Sequence, residues 1–405
     1  MRNNKYIRVG TQYFKFIDEP DPRENDKHIR TLSKWSRNTI IDDYGKEFCM
    51  SIEKFDDFTV KPSHDNFQER CGLFYNLYNP LSGKIKEGDY TESTEFLKHI
   101  FGDQFELGLD YLTILWRYPM QVLPILCLVS EERETGKTTF LNWLKEIFDN
   151  NMTIIKSESF RSRFNNDWTS KLIICIDEAK FDKKSDSDYI KDLSTSKTVN
   201  EEGKNINKRE RPFFGKIIMA SNNVTDMAVI DENETRYWVV EVNKIKNYRS
   251  EFESLLRGEI GAFKYFLKHR KIKAPKKTRM WFQAEDLRTP ALRQMMKNSI
   301  QSNEKEIAEI LLQYIEITKS DIVKLALKDL STIFKNEGLL IKKYEIKKIL
   351  TQRWKLEPTE NATSYKYYVK YFNYNKKTDD IEVYNCKGRV YSFDKEILEK
   401  KIENC

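Results

Sequence analysis

Continuous apolar runs in the middle of the chain predict buried strands. Three of them are VLPILCLVS at 122–130, LIICID at 172–177 and KIIMAS at 216–221, and YWVVEV at 237–242 is a candidate fourth. Strands that are apolar on both faces are typical of parallel sheets covered by helices. The amphipathic run TTFLNWLKEIF follows the first strand after a polar loop and predicts a helix. The centre of the chain is therefore predicted to be an α/β unit on a mostly parallel sheet.

The segments on either side of this centre have different periodicities. Residues 1–91 combine alternating runs such as YIRVGTQYFKFI with turn-rich stretches, which indicates a small α+β accessory region. Apolar residues at helical spacing predict helices over 92–118 and 251–270. From residue 305, the runs EKEIAEILLQYI, DIVKLALKDLSTIF and YEIKKILTQRWKL predict three helices, and two alternating runs after them predict paired strands. Helices followed by a hairpin suggest a winged-helix-like C-terminal module.

The polar loop between the first central strand and its helix carries the most informative motif. Its sequence ERETGKTT fits the end of the phosphate-loop pattern G-x-x-x-x-G-K-[ST]. In such a loop, backbone N–H groups bind the phosphates at a helix N-terminus, the lysine bridges the β- and γ-phosphates, and the following hydroxyl ligates Mg²⁺. The motif predicts a site for ATP and Mg²⁺, with Thr138 as a metal ligand. The residues expected around the nucleotide are Glu134, Thr135, Gly136, Lys137, Thr138 and Thr139.

Glu131 occupies the position of the first glycine in that pattern. A side chain there changes how the loop leaves the strand, but it does not change the chemistry of the Gly-Lys-Thr triplet. The alternative interpretation is a chance T-G-K-T in a surface turn. The apolar run before the loop and the amphipathic run after it argue against that alternative.

Two carboxylates, Asp177 and Glu178, end the second central strand. We expect both to face Lys137 across one pocket, where Asp177 holds the magnesium through its water shell and Glu178 activates the attacking water. The alternative is a pair of solvated acids at a strand end. The phosphate loop earlier in the chain favours the catalytic interpretation.

An amide and an arginine complete the candidate site. Asn222, at the end of the third strand, is expected to hydrogen-bond the γ-phosphate or the attacking water, with Asn223 as the second choice; a simple Asn-Asn turn is the alternative. Arg236 follows, and its guanidinium suits the charge of a transferring phosphoryl group. An ordinary salt-bridged arginine at a strand start is the other interpretation.

Length, charge and cysteine spacing limit the number of domains and the kinds of site and partner that the chain is expected to have. A chain of 405 residues has room for two or three domains, and its formal net charge of +7 suits a nucleic-acid partner or an ordinary lysine-rich protein. The six cysteines include no C-x-x-C pair, which argues against a zinc site or a disulfide framework. No run is long and apolar enough for a signal peptide or a membrane span, so we expect a cytoplasmic protein without a membrane partner.

The order of phosphate loop, Asp-Glu strand, S-N-N strand and arginine resembles the superfamily 3 helicase domain. The runs that carry the resemblance lie within about residues 95–245 and are LVSEERETGKTTFLNWLKEIF, FNNDWTSKLIICIDEA, FFGKIIMASNN and ETRYWVVEV. They are most similar to the helicase half of phage and mobile-element primase-polymerase proteins, the poxvirus-type primase–helicase group. The resemblance implies an AAA+-like P-loop NTPase core that assembles as a hexameric ring around DNA, with Arg236 acting on the next subunit.

The resemblance also implies contacts with single-stranded DNA. Family members carry a basic β-hairpin between the Asp-Glu and Asn strands, and the corresponding interval here is TVNEEGKNINKRERP. Lys204, Lys208 and Arg209 are the candidates for contacting the phosphate backbone, with a solvated charged loop as the alternative. The basic run of the C-terminal module is a second candidate. Residues 1–91 are too short for a primase domain, so a separate primase or polymerase is expected to supply any primers.

These observations predict an ATP-dependent DNA helicase or translocase for replication of a phage or mobile element. One rival is an ATPase switch or loader that does not unwind DNA. Another is a DNA-binding initiator or adaptor whose phosphate loop is structural. The predicted division of the chain is 1–91 accessory region, 92–250 ATPase domain with leading helices, 251–304 helical lid or linker and 305–405 winged-helix-like α+β domain.

Overall fold

The N-terminal part is built from two small sheets and one helix. The structure is a computed structural model that describes residues 5–20, 28–181, 183–203, 206–225, 227–246, 249–339, 341–373 and 378–403. The first sheet has the strand order β3-β2-β1-β4, and the second has the order β5-β7-β6. Their elements are β1 Tyr6–Val9, β2 Gln12–Pro20, β3 His28–Trp35, α1 Arg37–Ser51, β4 Glu53–Phe55, β5 Asp57–Thr59, β6 Arg70–Cys71 and β7 Phe74–Asn76.

A five-stranded sheet forms the centre of the molecule. Its strand order is β14-β8-β13-β10-β9, and every neighbouring pair is parallel. The elements of this central part are α2 Thr91–Phe101, α3 Phe105–Arg117, β8 Ile125–Val129, α4 Lys137–Phe148, β9 Met152–Lys156, α5 Ser157–Arg161, β10 Ile173–Asp177, α6 Lys184–Thr195, β11 Thr198–Gly203, β12 Ile206–Pro212, β13 Lys216–Ser221, β14 Tyr237–Glu241 and α7 Phe252–His269.

Helices cover both faces of this sheet, which explains why its strands are apolar throughout. Leu126 and Leu128 of β8 pack on one side, in a cluster with side chains of α2, α3, α4 and α7. Cys127 lies on the other side, in a second cluster that includes Ile190 of α6. Alternate residues of one strand therefore enter two separate cores. The predicted mostly parallel α/β centre is confirmed.

The C-terminal part begins with a long helix and continues with short helices and paired strands. β15 pairs with β18, and β16 forms a long antiparallel hairpin with β17. The elements are α8 Pro290–Thr318, β15 Ile322–Ala326, α9 Leu327–Asn336, α10 Lys343–Lys348, β16 Thr363–Asn373, β17 Thr378–Gly388, β18 Val390–Asp394 and α11 Lys395–Glu403. Among the described residues, no helix is both long and apolar enough to cross a membrane.

Two elements differ from the sequence prediction. Residues 322–326 were predicted as the start of a helix, yet they form β15, in which Val323 and Leu325 are buried while Lys324 is exposed. Pairing with β18 favours the extended backbone there. The edge strand β9 was not predicted at all. Its side chains after Met152 are only partly buried, so its sequence lacks the continuous apolar signal of the other four strands.

Candidate nucleotide-binding site

Residues 130–136 form the loop that joins β8 to α4, at the carboxyl edge of the parallel sheet. Glu134 and Gly136 both have left-handed backbone conformations, with φ of 58° and 84°. A Cβ atom on Gly136 would lie 3.2 Å from the Phe96 ring and 3.3 Å from Ile245 Cδ1, so the space is tight, and the left-handed φ favours glycine here. The strand–loop–helix context expected of a phosphate loop is present.

The N-terminus of α4 offers backbone donors to an anion. Gly136 is its N-cap, and within the described part of the chain no side chain caps the amides of the first turn. Such amides, together with the helix dipole, favour negative charge. Thr138 is exposed on this turn, and Thr139 Oγ1 lies 3.5 Å from Glu253 Oε1. The first turn is therefore free to receive a phosphate group.

Lys137 is the most unusual side chain of the site. It is only 6% exposed, and its ammonium donates to the Ser130 hydroxyl, to Thr135 Oγ1 at 3.0 Å and to Asn222 Oδ1 at 2.9 Å. Burial lowers the pKa of Lys137, and the charge of Asp177 raises it in part. In the described residues no carboxylate forms an ion pair with this ammonium. A buried cation held by neutral oxygens alone is energetically unfavourable until an anion joins it.

Asp177 and Glu178 have different surroundings. Asp177 ends β10, is partly exposed and acts electrostatically on Lys137. Glu178 has a left-handed φ of 55°, and its carboxylate lies 2.6 Å from the Lys156 ammonium at the end of β9. The hydrogen bond from Lys156 and its charge lower the pKa of Glu178. Asp177 is therefore close enough to Lys137 to act on its charge, whereas Glu178 pairs with Lys156 at the end of β9 and not with Lys137.

Asn222 and Asn223 are distinguished by their hydrogen bonds. The Asn222 amide oxygen accepts from Lys137, across the boundary between β13 and β8. The Asn223 amide oxygen accepts from the backbone and hydroxyl of Thr225, at 2.7 and 2.8 Å, in an Asx turn. Asn223 thus stabilises its own loop, and Asn222 is the amide that lies beside the phosphate loop.

Arg236 lies away from this cluster. It immediately precedes β14, and its carbonyl accepts from Ile125 N at the opposite edge of the sheet from the loop. Its guanidinium is half-buried and lies 3.4 Å from Glu234 Oε2. The Arg236 side chain therefore lies at the opposite edge of the sheet from the phosphate loop of its own chain, and its contact with Glu234 is that of a salt-bridged arginine at a strand start.

The segment between β10 and β13 contains an antiparallel hairpin of β11 and β12. Lys208 is exposed on β12, whereas the Arg209 guanidinium pairs with Asp57 of β5 in the N-terminal part. Arg211 Nη1 donates to Phe58 O at 3.0 Å in the same place. The third predicted DNA contact, Lys204, lies outside the described residues. The hairpin is therefore anchored to the N-terminal part through two arginines.

A magnesium ion would find oxygen ligands at this site without a dedicated protein cage. The described residues contain no cluster of three or more His, Cys, Asp or Glu side chains that would hold a metal alone. Thr138 at the start of α4 and Asp177 at the end of β10 are the available oxygen donors. Mg²⁺ commonly takes one or two protein oxygens, with water and phosphates as its other ligands, so this donor set fits the ion.

The sequence did not indicate Lys156 or Ser130 as residues of the site. Ser130 is the last residue of an apolar run, and Lys156 ends a strand without a clear periodicity, so neither carries a local signal. The parallel register that places Lys156 beside Asp177 identifies it only in three dimensions.

Comparison with known proteins gives the fold but not the activity. A family of unknown function, DUF5906, matches residues 128–236, and no curated protein matches the chain. The apo structure of the NrS-1 C-terminal region, residues 305–718, is similar over 96% of this chain and 95% of that chain, with 15% identity and a TM-score of 0.58. The A form of the same region covers 87% and 92%, with 16% identity and a TM-score of 0.56. The chain therefore shares its overall fold with the NrS-1 C-terminal region.

Proposed function

We propose that the chain is a P-loop ATPase that acts as a DNA helicase or translocase in replication. The observation that carries the ATPase proposal is Lys137, a buried ammonium with three neutral oxygen partners at the N-terminus of α4. The β- and γ-phosphates of ATP would supply the missing negative charge. Such a lysine in a loop between a parallel strand and a helix favours a nucleotide over other anions.

The proposed chemistry assigns one role to each neighbouring side chain. Thr138 and Asp177 hold Mg²⁺, which neutralises charge on the phosphates when it is bound. Asn222 exchanges its hydrogen bond with Lys137 for one to the γ-phosphate or the attacking water. Glu178 leaves Lys156 and orients that water as general base. The Lys156 pairing supports a resting state in which hydrolysis is slow.

Arg236 supports the proposal of a ring. It lies at the edge of the sheet opposite the phosphate loop, so it can act only on the nucleotide of a neighbouring copy. A closed ring lets every subunit give one arginine and receive another. We propose a homo-oligomeric ring, with a hexamer as the expected size from the superfamily 3 resemblance.

Two basic elements support the proposal of a nucleic-acid partner. Lys208 is exposed on the β11–β12 hairpin, where phosphate contacts would not depend on base sequence. The C-terminal part runs in the order helix, strand, two helices and two strands, from α8 to β17, which is compatible with a winged helix. Helix α10 carries the basic residues of this part, but one of them, Lys348, already pairs with Glu232 of the central part.

The decisive experiment measures phosphate release from ATP with and without single-stranded DNA, with native mass measured on the same sample. Lys137→Ala should reduce turnover to background, and Lys98→Ala, at an exposed lysine of α2, is a matched control that should keep it. Glu178→Gln should bind ATP and hydrolyse it at least about 100-fold more slowly, in line with the usual contribution of a general base. Wild-type turnover in the Lys137 variant would refute the site.

The two rival functions make different predictions. A switch or loader would hydrolyse ATP but fail to displace a strand from a forked substrate. An initiator with a structural phosphate loop would show no DNA-stimulated turnover, and Glu131 in place of glycine is the feature that favours it. DNA-stimulated phosphate release together with strand displacement would exclude both rivals.

A further inference from the structure

We propose that a cleft between the N-terminal part and the central part binds the backbone and bases of single-stranded nucleic acid, separately from the nucleotide site. The cleft has a volume of about 1120 Å³. One wall comes from β2, β3 and β7, and the other from the end of α4, the middle of α7 and the segments that precede β9 and β10. Its volume exceeds the usual range for small-molecule pockets, about 300–1000 Å³, so a segment of a polymer fits it better.

The cleft lies far from the phosphate loop. Asn150 and Lys171 line it, and they precede β9 and β10 at the amino edge of the parallel sheet. The phosphate loop follows β8 at the carboxyl edge. The two sites are therefore separated by the length of the strands, and binding in the cleft does not require ATP.

The lining of the cleft has an excess of positive charge. Three acidic residues line it, Glu69, Glu146 and Asp149, against six basic ones, Arg30, Lys84, Lys145, Lys171, Arg257 and Lys264. Arg257 is paired with Glu146, and Lys264 lies 4.0 Å from Asp149. Arg30, Lys84 and Lys171 have no ion-pair partner within the described residues. These three cations supply the charge that an anionic ligand would neutralise.

Among these three cations, Lys171 gives the strongest support for an anionic ligand. Its ammonium donates to Asn150 O at 2.8 Å, and burial lowers the pKa of this lysine despite the opposing charge of Asp167. A poorly solvated lysine whose ammonium donates to a backbone carbonyl gains most from an added phosphate. It lies in the wall of a cleft wide enough to admit one.

Aromatic rings beside these cations favour nucleic acid over an acidic peptide. Phe16, Phe67 and Tyr75 line the cleft, and the Arg30 guanidinium lies 4.0 Å from the centre of the Phe16 ring. Phe16 and Tyr75 have ring centres 6.0 Å apart. Bases stack on such rings and on arginine planes, whereas the neighbouring cations follow the phosphates. An acidic peptide would use the cations but not the rings.

The test compares two double variants with the same loss of charge. Arg30→Ala with Lys84→Ala removes two exposed cations of the cleft, and Lys46→Ala with Lys54→Ala removes two exposed lysines of the N-terminal part outside it. Both double variants are made in the full-length Lys137→Ala protein, and binding is measured without ATP. Failure of the ATPase proposal therefore does not affect the result. Fluorescence anisotropy with labelled oligo(dT) is measured over a range of salt concentrations.

The cleft variant should bind at least about tenfold more weakly at low salt, and its slope of log K against log salt should fall by about 1.4, since each phosphate contact to a single strand contributes about 0.7. The control variant should keep the parent slope. Equal slopes in both variants would overturn the proposal.

Photocrosslinking gives a second readout that does not depend on substitution. An oligonucleotide carrying 5-bromodeoxyuridine should crosslink to the peptide that contains Phe67 and Tyr75, and mass spectrometry identifies it. Crosslinks only to the β11–β12 hairpin or to the C-terminal part would overturn the proposal. Displacement of oligo(dT) by polyglutamate at equal charge concentration would also overturn it, since that result points to an acidic protein partner.

Discussion

At the scale of single residues, the site is organised around a buried charge. Lys137 combines a 6% exposed side chain with hydroxyl and amide acceptors instead of a carboxylate. A carboxylate in contact would neutralise the ammonium and compete with a phosphate. Asp177 is close enough to act on its pKa without forming an ion pair. This arrangement leaves the Lys137 ammonium without a carboxylate partner among the described residues.

Lys156 should control how readily Glu178 acts. Its ammonium holds the Glu178 carboxylate at 2.6 Å, although both side chains are exposed. Lys156→Ala should raise phosphate release in the absence of DNA and reduce the stimulation by DNA, because Glu178 is then free to orient water. Lys156→Arg should behave like the parent protein. Unchanged basal and stimulated rates in Lys156→Ala would exclude this role.

The sequence identified a residue as part of the site only where that residue belongs to a recognisable local pattern. Lys137 and Thr138 follow a glycine in a fixed pattern, and Asp177 ends an apolar run. Ser130 lies outside the Gly-Lys-Thr pattern, and Lys156 comes from another strand, so no local pattern marks either of them. The sequence placed Glu178 at the end of a central strand. It did not predict the ion pair of Glu178 with Lys156.

At the scale of elements, the β11–β12 hairpin is not free. Arg209 pairs with Asp57, and Arg211 donates both to Phe58 O and to Glu201, each at 3.0 Å. Burial raises the pKa of Asp57, and the hydrogen bond and charge of Arg209 lower it by more. The N-terminal part thus limits the movement of the hairpin that we propose to contact DNA.

Asp57→Ala should release this hairpin. Hydrogen exchange of the β11 and β12 amides should become faster, while global stability falls by about 1 kcal/mol, because Arg209 is exposed and Asp57 is partly exposed. Asp56→Ala is the matched control, because the side chain of Asp56 is exposed on the neighbouring position. Equal exchange in both variants would show that the pair does not anchor the hairpin.

The same pair has a defined pH dependence. The folded pKa of Asp57 is lowered, so its contribution to stability is present above the ordinary value of 3.8 and is lost as pH falls through the lowered value. Hydrogen exchange of the parent hairpin should therefore show no transition from Asp57 between neutral pH and pH 5.

At the scale of the whole molecule, the C-terminal part is joined to the central part by ion pairs near Arg236. Lys184 of α6 lies 3.0 Å from Asp231 and 3.2 Å from Glu345 of α10. Lys191 lies 3.1 Å from Asp231 and 3.9 Å from Glu234, the partner of Arg236. A movement of α10 would therefore be transmitted through these ion pairs to the segment that carries Arg236.

A double-mutant cycle on Lys184 and Glu345 should reveal this coupling. The side chains are 10% and 19% exposed, so a coupling energy of about 1 kcal/mol is expected from urea denaturation of the two single variants and the double variant. The pair Lys395–Glu399 within exposed α11 serves as the control and should give about 0.3 kcal/mol. A Lys184–Glu345 coupling no larger than the control would show that the modules do not depend on this contact.

The parallel α/β centre and the loop before α4 were predictable from the amino-acid sequence, because continuous apolar strands and the Gly-Lys-Thr pattern are local properties of the chain. The sequence did not determine the extended backbone of residues 322–326, the edge strand β9, or the pairings of Glu178, Arg209 and Glu345. Each of these depends on a partner distant in sequence. These features follow from the three-dimensional fold, since charge pairing and strand pairing depend on distances that no local pattern encodes.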